Sequence, residues 1–154
     1  MRHKESAGLL MFRNTGERLE VLLGHPGGPF WGSRHDGAWG IPKGGANVGE
    51  EWLEAAIREF REETGFDSQG PYLPLGQITQ RGGKIVHAWA FEGDFDPSAI
   101  RSSTVTIEWP GGSGRYIVVP EIDRAGFFSI DDARRLMNPA QVAFLDRLKE
   151  VKST

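Results

Sequence analysis

One acidic, amphipathic segment constrains this chain more than any other feature. From Glu50 to Thr64 apolar side chains recur at spacings of three and four residues. This period predicts one helix with an apolar stripe along one side. Gly65 follows at the position where a left-handed helix cap belongs. The stripe consists of Trp52, Leu53, Ala56, Ile57 and Phe60.

The same predicted helix carries three carboxylates on another side. Glu59, Glu62 and Glu63 stand at positions i, i+3 and i+4, so all three project from one face. Like charges at this spacing repel one another, and divalent cations between them remove that cost. Mg²⁺ prefers carboxylate oxygens and completes its coordination shell with waters and substrate phosphates. The spacing therefore indicates a metal-dependent phosphate site.

The loop before the helix supports the same interpretation. Gly44 and Gly45 let the backbone approach a ligand or expose a carbonyl group to a metal ion. Lys43 precedes them and can place a positive charge beside phosphate oxygens. A charged helix face is more often only a solvated surface. Here the glycines and the carboxylates agree at fixed offsets, which favours a functional site.

The flanking sequence predicts a mixed α/β domain. Two strands are expected at Ser6–Phe12 and Leu19–Leu23, followed by a long loop from His25 to Ala38. A hairpin is expected from Tyr72–Thr79 and Lys84–Phe91, and a strand at Thr104–Trp109 that residues 117–119 continue. Ser129 and Asn138 are expected to cap two C-terminal helices. We expect residues 1–154 to form a single domain with a mixed sheet flanked by helices.

Composition excludes several function classes. The 154 residues carry a net charge of −3, which disfavours general nucleic-acid or anionic-membrane binding. There is no cysteine, so disulfides, thiolate metal ligands and a cysteine nucleophile are excluded. We find no signal peptide and no apolar run of about 18 residues, so a cytoplasmic location is expected.

The segment from Gly44 to Phe66 resembles the Nudix box of the Nudix hydrolases, G-x5-E-x7-R-E-U-x-E-E-x-G-U, where U is bulky and aliphatic. The glycines, glutamates and arginine of the pattern are all present, and Phe60 and Phe66 occupy the two U positions as aromatic departures. The loop sequences before the box are similar to those of a bacterial subgroup of predicted nucleotide pyrophosphohydrolases. The matching residues are Gly44, Glu50, Arg58, Glu59, Glu62, Glu63 and Gly65.

The resemblance implies the family's α/β/α sandwich and hydrolysis of a nucleoside diphosphate linked to another group, assisted by Mg²⁺ or Mn²⁺. It implies that Glu59, Glu62, Glu63 and the carbonyl of Gly44 are metal ligands, with Glu62 or Glu63 bridging metals or orienting the attacking water. It also implies a structural pair in which the box arginine, Arg58, holds a box glutamate such as Glu50. Many family members use a further carboxylate outside the box as base or ligand.

Further candidate residues lie outside the box. Glu121 is favoured as the additional carboxylate over Glu108 and Asp123, because it follows a proline and precedes an aromatic pair. Lys43 and Arg34 are candidates for phosphate contacts, and Trp39 for stacking on a base. Buried core is the competing interpretation for the tryptophan, and a solvated surface for the arginine.

Two functions remain open at this point. The first is an active hydrolase, and the second is a nucleotide-binding module of the same fold that has lost hydrolysis. The complete set of box carboxylates favours the first. The substrate also remains open. ADP-ribose enzymes of the family tend to have a proline about fifteen residues past the box, and dinucleoside-polyphosphate enzymes a tyrosine about seventeen past, but Arg81 and Gly83 stand there. Homodimer formation is not decided by the sequence.

Overall fold

A computed structural model describes residues 5–152 of the chain. These residues form eight strands and three helices, and two 3₁₀ turns lie at Pro97–Ala99 and Pro139–Gln141. The strands are β1 (Glu5–Thr15), β2 (Arg18–Pro26), β3 (Lys43–Gly44), β4 (Leu73–Thr79), β5 (Ile85–Glu92), β6 (Thr104–Glu108), β7 (Tyr116–Pro120) and β8 (Ile122–Ser129). The helices are α1 (Trp52–Thr64), α2 (Ile130–Leu136) and α3 (Ala143–Lys152).

The main sheet is mixed, as the sequence predicts. Its strand order is β4-β5-β1-β2-β8, and the short β3 pairs with β1 beyond the point where β2 does. All neighbours are antiparallel except β1 and β5, which run parallel with Glu5 opposite Ile85. That parallel pair joins segments about eighty residues apart and brings the N-terminal strand to the centre of the sheet.

Helices cover both faces of this sheet, which gives the predicted α/β/α sandwich. Along β1, Leu9 packs into one core with Phe60 of α1, whereas Leu10 packs into the other core with Phe144 of α3. Successive strand side chains point to opposite faces. The strand is apolar at consecutive positions because both of its faces are covered.

The segment predicted as one interrupted strand near residue 109 is instead a separate hairpin. β6 and β7 pair antiparallel in a two-stranded sheet, with Thr104 opposite Pro120 and Glu108 opposite Tyr116. The Glu108 carboxylate accepts hydrogen bonds from the backbone N–H groups of Gly112 (2.8 Å) and Gly114 (3.0 Å). The glycine-rich stretch therefore reverses the chain as a tight tip rather than merely interrupting a strand.

The strand β8 has no counterpart in the sequence prediction. It pairs with β2 over Glu20–Pro26, with Phe128 opposite Val21 and a register shift beside His25. It includes Asp123 and Gly126, two residue types with low strand propensity. Pairing with β2 overrides this local preference.

The C-terminal caps are confirmed. The Ser129 hydroxyl accepts from the N–H of Asp132 at the start of α2, and the Asn138 side chain accepts from the N–H of Ala140. Pro139 then occupies the first position of the 3₁₀ turn that leads into α3. Across residues 5–152, the helices are too short and too polar to cross a bilayer.

Candidate active site

The helix α1 ends where the sequence places its cap. Gly65 adopts φ 81°, and its N–H donates to the carbonyl of Arg61 at 2.7 Å. Only the left-handed region of backbone space allows this closure, and glycine enters it without a steric penalty. The last turn of α1, which carries Glu62 and Glu63, therefore has a defined end.

The loop and helix meet at Gly44 and Glu59. β3 pairs with β1, so Gly44 lies opposite Ala7 and beside the carboxylate end of α1. A Cβ atom added to Gly44 would lie 2.1 Å from the Glu59 carboxyl carbon. Two non-bonded carbon atoms cannot approach this closely. Residue 44 therefore cannot carry a side chain while the Glu59 carboxylate stays in place. Gly44, whose carbonyl group is a predicted metal ligand, therefore lies directly against Glu59, another predicted metal ligand.

Arg58 connects the loop with three box glutamates. Its guanidinium donates to both Glu50 oxygens at 2.9 Å, to Glu59 at 2.9 Å and to Glu62 at 3.1 Å. It also donates to the carbonyl of Gly45 at 2.8 Å. The hydrogen bonds that Arg58 donates to Glu50 lower the pKa of the carboxyl group to about 2, and the same bonds raise the pKa of Arg58. The predicted pairing of the box arginine with a box glutamate is confirmed.

Glu63 is a buried carboxyl group. The residue is only 6% exposed, and desolvation is the largest cause that raises its pKa, to about 9. The negative charges of Glu59 and Glu121 raise it further. A buried acid surrounded by like charges is costly in its ionised form unless a cation compensates it. A cation bound beside Glu63 would therefore stabilise its ionised form.

Glu121 reaches the same place from outside the box. It follows β7, where its N–H donates to the carbonyl of Ser103 at 2.9 Å and its carbonyl accepts from the N–H of Gly27 at 3.2 Å. Partial desolvation raises the pKa of its carboxyl group, and the nearby charge of Glu59 acts in the same direction. Of the described carboxylates outside the box, this one shares a cleft with Glu63.

The two other candidates for this role are engaged elsewhere. Both oxygens of Glu108 hold the hairpin tip, as described above. Asp123 accepts a hydrogen bond at 2.8 Å from Nδ1 of His25, which is fully buried. Neither carboxylate lines the cleft.

The cleft has a volume of about 210 Å³ and lies between the strand ends, the box and the C-terminal segment. Lys43 lines it, and burial lowers the pKa of this lysine. Trp39 forms part of one wall but is only 6% exposed, and its Nε1 has no hydrogen-bond partner within residues 5–152. The lining residues are Gly24, Pro26, Ala38, Trp39, Gly40, Ile41, Lys43, Glu63, Gln80, Glu121, Ile122, Asn138 and Gln141.

Arg34, a predicted phosphate contact, does not line this cleft. It lies on the exposed part of the long loop, with its guanidinium 4.5 Å from the centre of the Phe30 ring. Its carbonyl accepts a hydrogen bond from Nε2 of His25 at 2.6 Å. In this structure the residue contributes to the loop rather than to the cleft.

The donor set fits a hard divalent cation. Glu59, Glu62, Glu63 and the Gly44 carbonyl offer only oxygen atoms, which is the ligand type of Mg²⁺ and Mn²⁺. The glycine cradle beside Glu59 and the uncompensated burial of Glu63 are the observations that support this fit. Within residues 5–152 no three acidic or histidine side chains stand at metal-binding geometry, and Glu62 is turned toward Arg58.

Sequence reasoning missed the amide side chains of the cleft. Gln80 follows β4, Asn138 follows α2, and Gln141 lies in the turn before α3 and is 3% exposed. The available signal was a glutamine, Gln141, among the apolar residues that precede and begin α3. Three separate segments bring these amides together, so their proximity has no local sequence signature.

Solved structures with this fold include an Ap4A hydrolase and a domain of NrtR complexed with ADP ribose. The binary complex of an Ap4A hydrolase from C. elegans aligns with a TM-score of 0.68 and 21% identity, over 97% of this chain and 98% of that one. The NUDIX domain of NrtR from Shewanella oneidensis, complexed with ADP ribose, also gives 0.68, with 14% identity over 99% of this chain and 90% of that one. At these identities the likeness shows the fold.

Curated relatives match a shorter stretch at higher identity. An RNA pyrophosphohydrolase from Brucella anthropi is 58% identical over 40 residues, 24% of this chain and 23% of that protein. One from Caulobacter vibrioides is 47% identical over 53 residues, which is 31% of each. The match therefore spans less than a third of these relatives.

A match over most of the chain comes from the family comparison. The NUDIX domain model aligns with residues 2–148, a range that contains the box, the cleft and every strand and helix up to most of α3. Together with the α/β/α architecture, this shows that the chain belongs to the NUDIX family.

Proposed function

We propose that this protein is a metal-dependent pyrophosphohydrolase that cleaves the diphosphate linkage of a nucleoside diphosphate joined to another group. The observation that carries this proposal is the convergence of Lys43, Glu63 and Glu121 on one cleft next to Glu59 and Gly44. A lysine beside several carboxylates suits a phosphate group that arrives with a cation. The names of the curated relatives support the same reaction class.

Glu59, Glu62, Glu63 and the Gly44 carbonyl would hold Mg²⁺ or Mn²⁺. When bound, such an ion polarises phosphate oxygens and lowers the pKa of water. Glu62 would have to exchange its hydrogen bonds with Arg58 for the ion, and its side chain is 46% exposed. Arg58 keeps its bonds to Glu50 and continues to anchor the loop.

The chain's own groups would perform the remaining tasks. The Lys43 ammonium group would bind a phosphate oxygen and orient the diphosphate. Glu121 would accept the proton of the attacking water, because a carboxylate with a raised pKa is a better proton acceptor at neutral pH. The buried walls of the cleft, which include Trp39 and Ile41, would exclude bulk water from the reacting groups.

A substrate panel tests this proposal. The protein is incubated with Mg²⁺, Mn²⁺ or a chelator and with nucleoside triphosphates, dinucleoside polyphosphates, ADP-ribose, nucleotide sugars and an RNA with a 5′ triphosphate. We expect diphosphate cleavage that requires the metal and falls by at least about 10²-fold in Glu62→Gln. Glu54→Gln on the same helix is the matched control and should keep full activity.

The alternative is a nucleotide-binding module without hydrolysis. Metal-dependent binding of nucleotides without cleavage of any panel member would favour it over the enzyme. The expected partner in either case is a nucleotide-type small molecule in the cytoplasm, without a stable nucleic-acid complex. Sedimentation of the same preparation would decide between a monomer and a homodimer.

A further inference from the structure

Three amide side chains line the cleft, and the reaction outlined above uses none of them. Gln80, Asn138 and Gln141 approach from the end of β4, the end of α2 and the turn before α3. An amide can offer either its oxygen or its NH₂ group to a ligand. The choice depends on which end is already engaged by the protein.

The orientation of Gln80 is imposed by a backbone group through Gln141. The N–H of Ile41 can only donate, so the atom of Gln141 that faces it at 3.0 Å must be the oxygen Oε1. The Gln141 nitrogen Nε2 then donates to Gln80 at 2.9 Å, so the Gln80 atom that it meets must be Oε1. The NH₂ group of Gln80 is left over, and it has no partner in the part of the chain that the structure describes.

The hydrogen bonds that link Ile41, Gln141 and Gln80 form a relay, and its central amide is closely packed. Gln141 is 3% exposed, and a Cβ added to Gly40 would lie 2.9 Å from its Oε1, so the amide packs directly on the backbone there. Reversal of Gln141 would place its NH₂ group against the N–H of Ile41 and bury an unsatisfied donor. The orientation of the Gln80 amide therefore follows from the backbone N–H of Ile41.

Asn138 has the same polarity for an independent reason. Its Oδ1 accepts from the N–H of Ala140 at 3.0 Å as the cap of the 3₁₀ turn. The Asn138 NH₂ group is the remaining end, and within residues 5–152 it bonds to no protein group. Two separate backbone N–H groups thus leave two N–H donors for a ligand in one cleft.

These donors line the same cleft as Lys43, the predicted phosphate contact. Ile41, which anchors the relay, precedes Lys43 by two residues, a separation of at most about 7 Å. A nucleotide whose diphosphate meets Lys43 would extend its nucleoside along the same cleft. Its base would then face the NH₂ groups of Gln80 and Asn138, which can donate hydrogen bonds to it.

This inference rests on the proposed function and concerns the base. We propose that Gln80 and Asn138 select a base whose edge presents only hydrogen-bond acceptors, and that the preferred purine nucleotides carry a 6-oxopurine. The O6 and N7 atoms of guanine or hypoxanthine accept from both amides. Adenine places its N6 amino group against a second NH₂ group, which leaves two buried donors facing each other.

Two measurements test this selectivity. The first is kcat/KM for GTP, ITP, ATP and 7-deaza-GTP with Mg²⁺. We expect GTP and ITP to be equal, and ATP and 7-deaza-GTP to be lower by at least about ten-fold, because one hydrogen bond is lost in each. The second is calorimetric binding of GDP and ADP with Mg²⁺, which reports the same preference without hydrolysis.

Isosteric variants identify the residues responsible. Gln80→Glu and Asn138→Asp keep the oxygen that each protein contact uses and replace the free NH₂ group by an acceptor. We expect each variant to reverse or abolish the guanine preference, measured as the ratio of the two kcat/KM values or of the two Kd values. Gln77→Glu, an exposed strand position outside the cleft, adds the same charge and should leave the ratio unchanged.

The outcomes separate the two proposals. Cleavage of ATP and GTP at equal efficiency would overturn the base selectivity and leave the hydrolase intact. A guanine preference in binding without any cleavage would support the selectivity and overturn the hydrolase. Equal binding of GDP and ADP, no binding of either, or ratios unchanged in both amide variants would overturn the selectivity itself.

Discussion

Gly44 shows how a single backbone position can determine the geometry of this site. It belongs to β3, and its Cα faces the Glu59 carboxylate so closely that a methyl group would overlap with it. Gly45, its neighbour, has no atom within 4 Å of an added Cβ. Adjacent glycines in the same loop therefore carry different constraints.

We expect Gly44→Ala to lower kcat by about 10²-fold while the protein remains folded, because Glu59 must move by an ångström or more. Gly45→Ala is the matched control and should retain activity. Steady-state kinetics with circular dichroism checks both variants. Equal activity in the two variants would contradict the role of the glycine cradle.

Glu63 illustrates a conflict between stability and function at one residue. Its raised pKa means that the folded protein holds a proton that the unfolded chain releases near pH 4.5. Its contribution to stability is therefore fully present below about pH 4.5 and is lost as the pH rises toward about 9. Metal binding would oppose this loss, since a cation favours the carboxylate.

We expect Glu63→Gln to stabilise the metal-free protein at pH 7.5 by about 1–3 kcal/mol, because the wild type must protonate this carboxyl group on folding and the glutamine variant need not. This corresponds to roughly 3–8 °C in Tm. The difference from the wild type should disappear below about pH 4.5, and added Mg²⁺ should raise the Tm of the wild type but not that of Glu63→Gln. Thermal unfolding across pH, with a chelator or Mg²⁺, measures both effects. Glu54→Gln should behave as the wild type does in both tests, and a destabilised Glu63→Gln variant would refute the argument.

At the scale of elements, the C-terminal end of α1 is fixed by the Gly65 cap and by contacts with residues 101–103. Gly65 has φ 81°, and an added Cβ would lie 3.1 Å from the Cβ of Arg101, whose N–H donates to the carbonyl of Thr64 at 2.8 Å. The next contact, from the N–H of Ser103 to the carbonyl of Glu62, is 2.7 Å. The end of the helix is therefore joined to the segment that enters β6.

We expect Gly65→Ala to destabilise the fold by about 1–2 kcal/mol, because alanine is strained in the left-handed region. Urea unfolding should show a lower midpoint with an unchanged slope. Gly111→Ala, at a position without positive φ and with open space around it, should match the wild type. An unchanged midpoint in Gly65→Ala would indicate that the helix end tolerates another cap.

Local signals predicted the elements that local chemistry forms. The apolar period and the terminal glycine gave α1 to within two residues, and the cap residues Ser129 and Asn138 were assigned correctly. The missed strand β8 and the misread β6–β7 hairpin depend on partners. Strand pairing with a distant segment leaves no periodic signal when the strand itself has low propensity.

At the scale of the whole molecule, one buried histidine connects three segments. His25 of β2 is fully buried, with Nδ1 2.8 Å from the Asp123 carboxylate of β8 and Nε2 2.6 Å from the carbonyl of Arg34 in the long loop. Both ring nitrogens of this buried histidine are therefore engaged by protein oxygen atoms. The loop that borders the cleft is thereby attached to the edge of the sheet.

We expect Asp123→Ala to cost about 1–3 kcal/mol, because it leaves the buried Nδ1 of His25 without its hydrogen-bond partner. Residues 27–38 should then exchange their amide hydrogens faster, while the amides of α1 keep their protection. Hydrogen exchange with mass spectrometry measures both regions. Asp67→Ala, on an exposed carboxylate, is the control. Unchanged exchange in residues 27–38 would show that the loop is held by other contacts.

The proposed metal ligands could be predicted from the sequence because they lie on one helix and its adjacent loop. The spacing of Glu59, Glu62 and Glu63 follows from helical geometry alone, and the glycines on either side mark the two ends of that unit. These relations are local, so they are the same whichever fold surrounds them.

Only the tertiary structure decided what surrounds that unit. Glu121 was a choice among three carboxylates until the chain path brought it beside Glu63, and the same packing placed Arg34 outside the cleft. The amides of Gln80 and Asn138 acquired their polarity from backbone groups elsewhere in the chain. Such contacts join residues that are distant in sequence, and sequence spacing carries no information about distances created by folding.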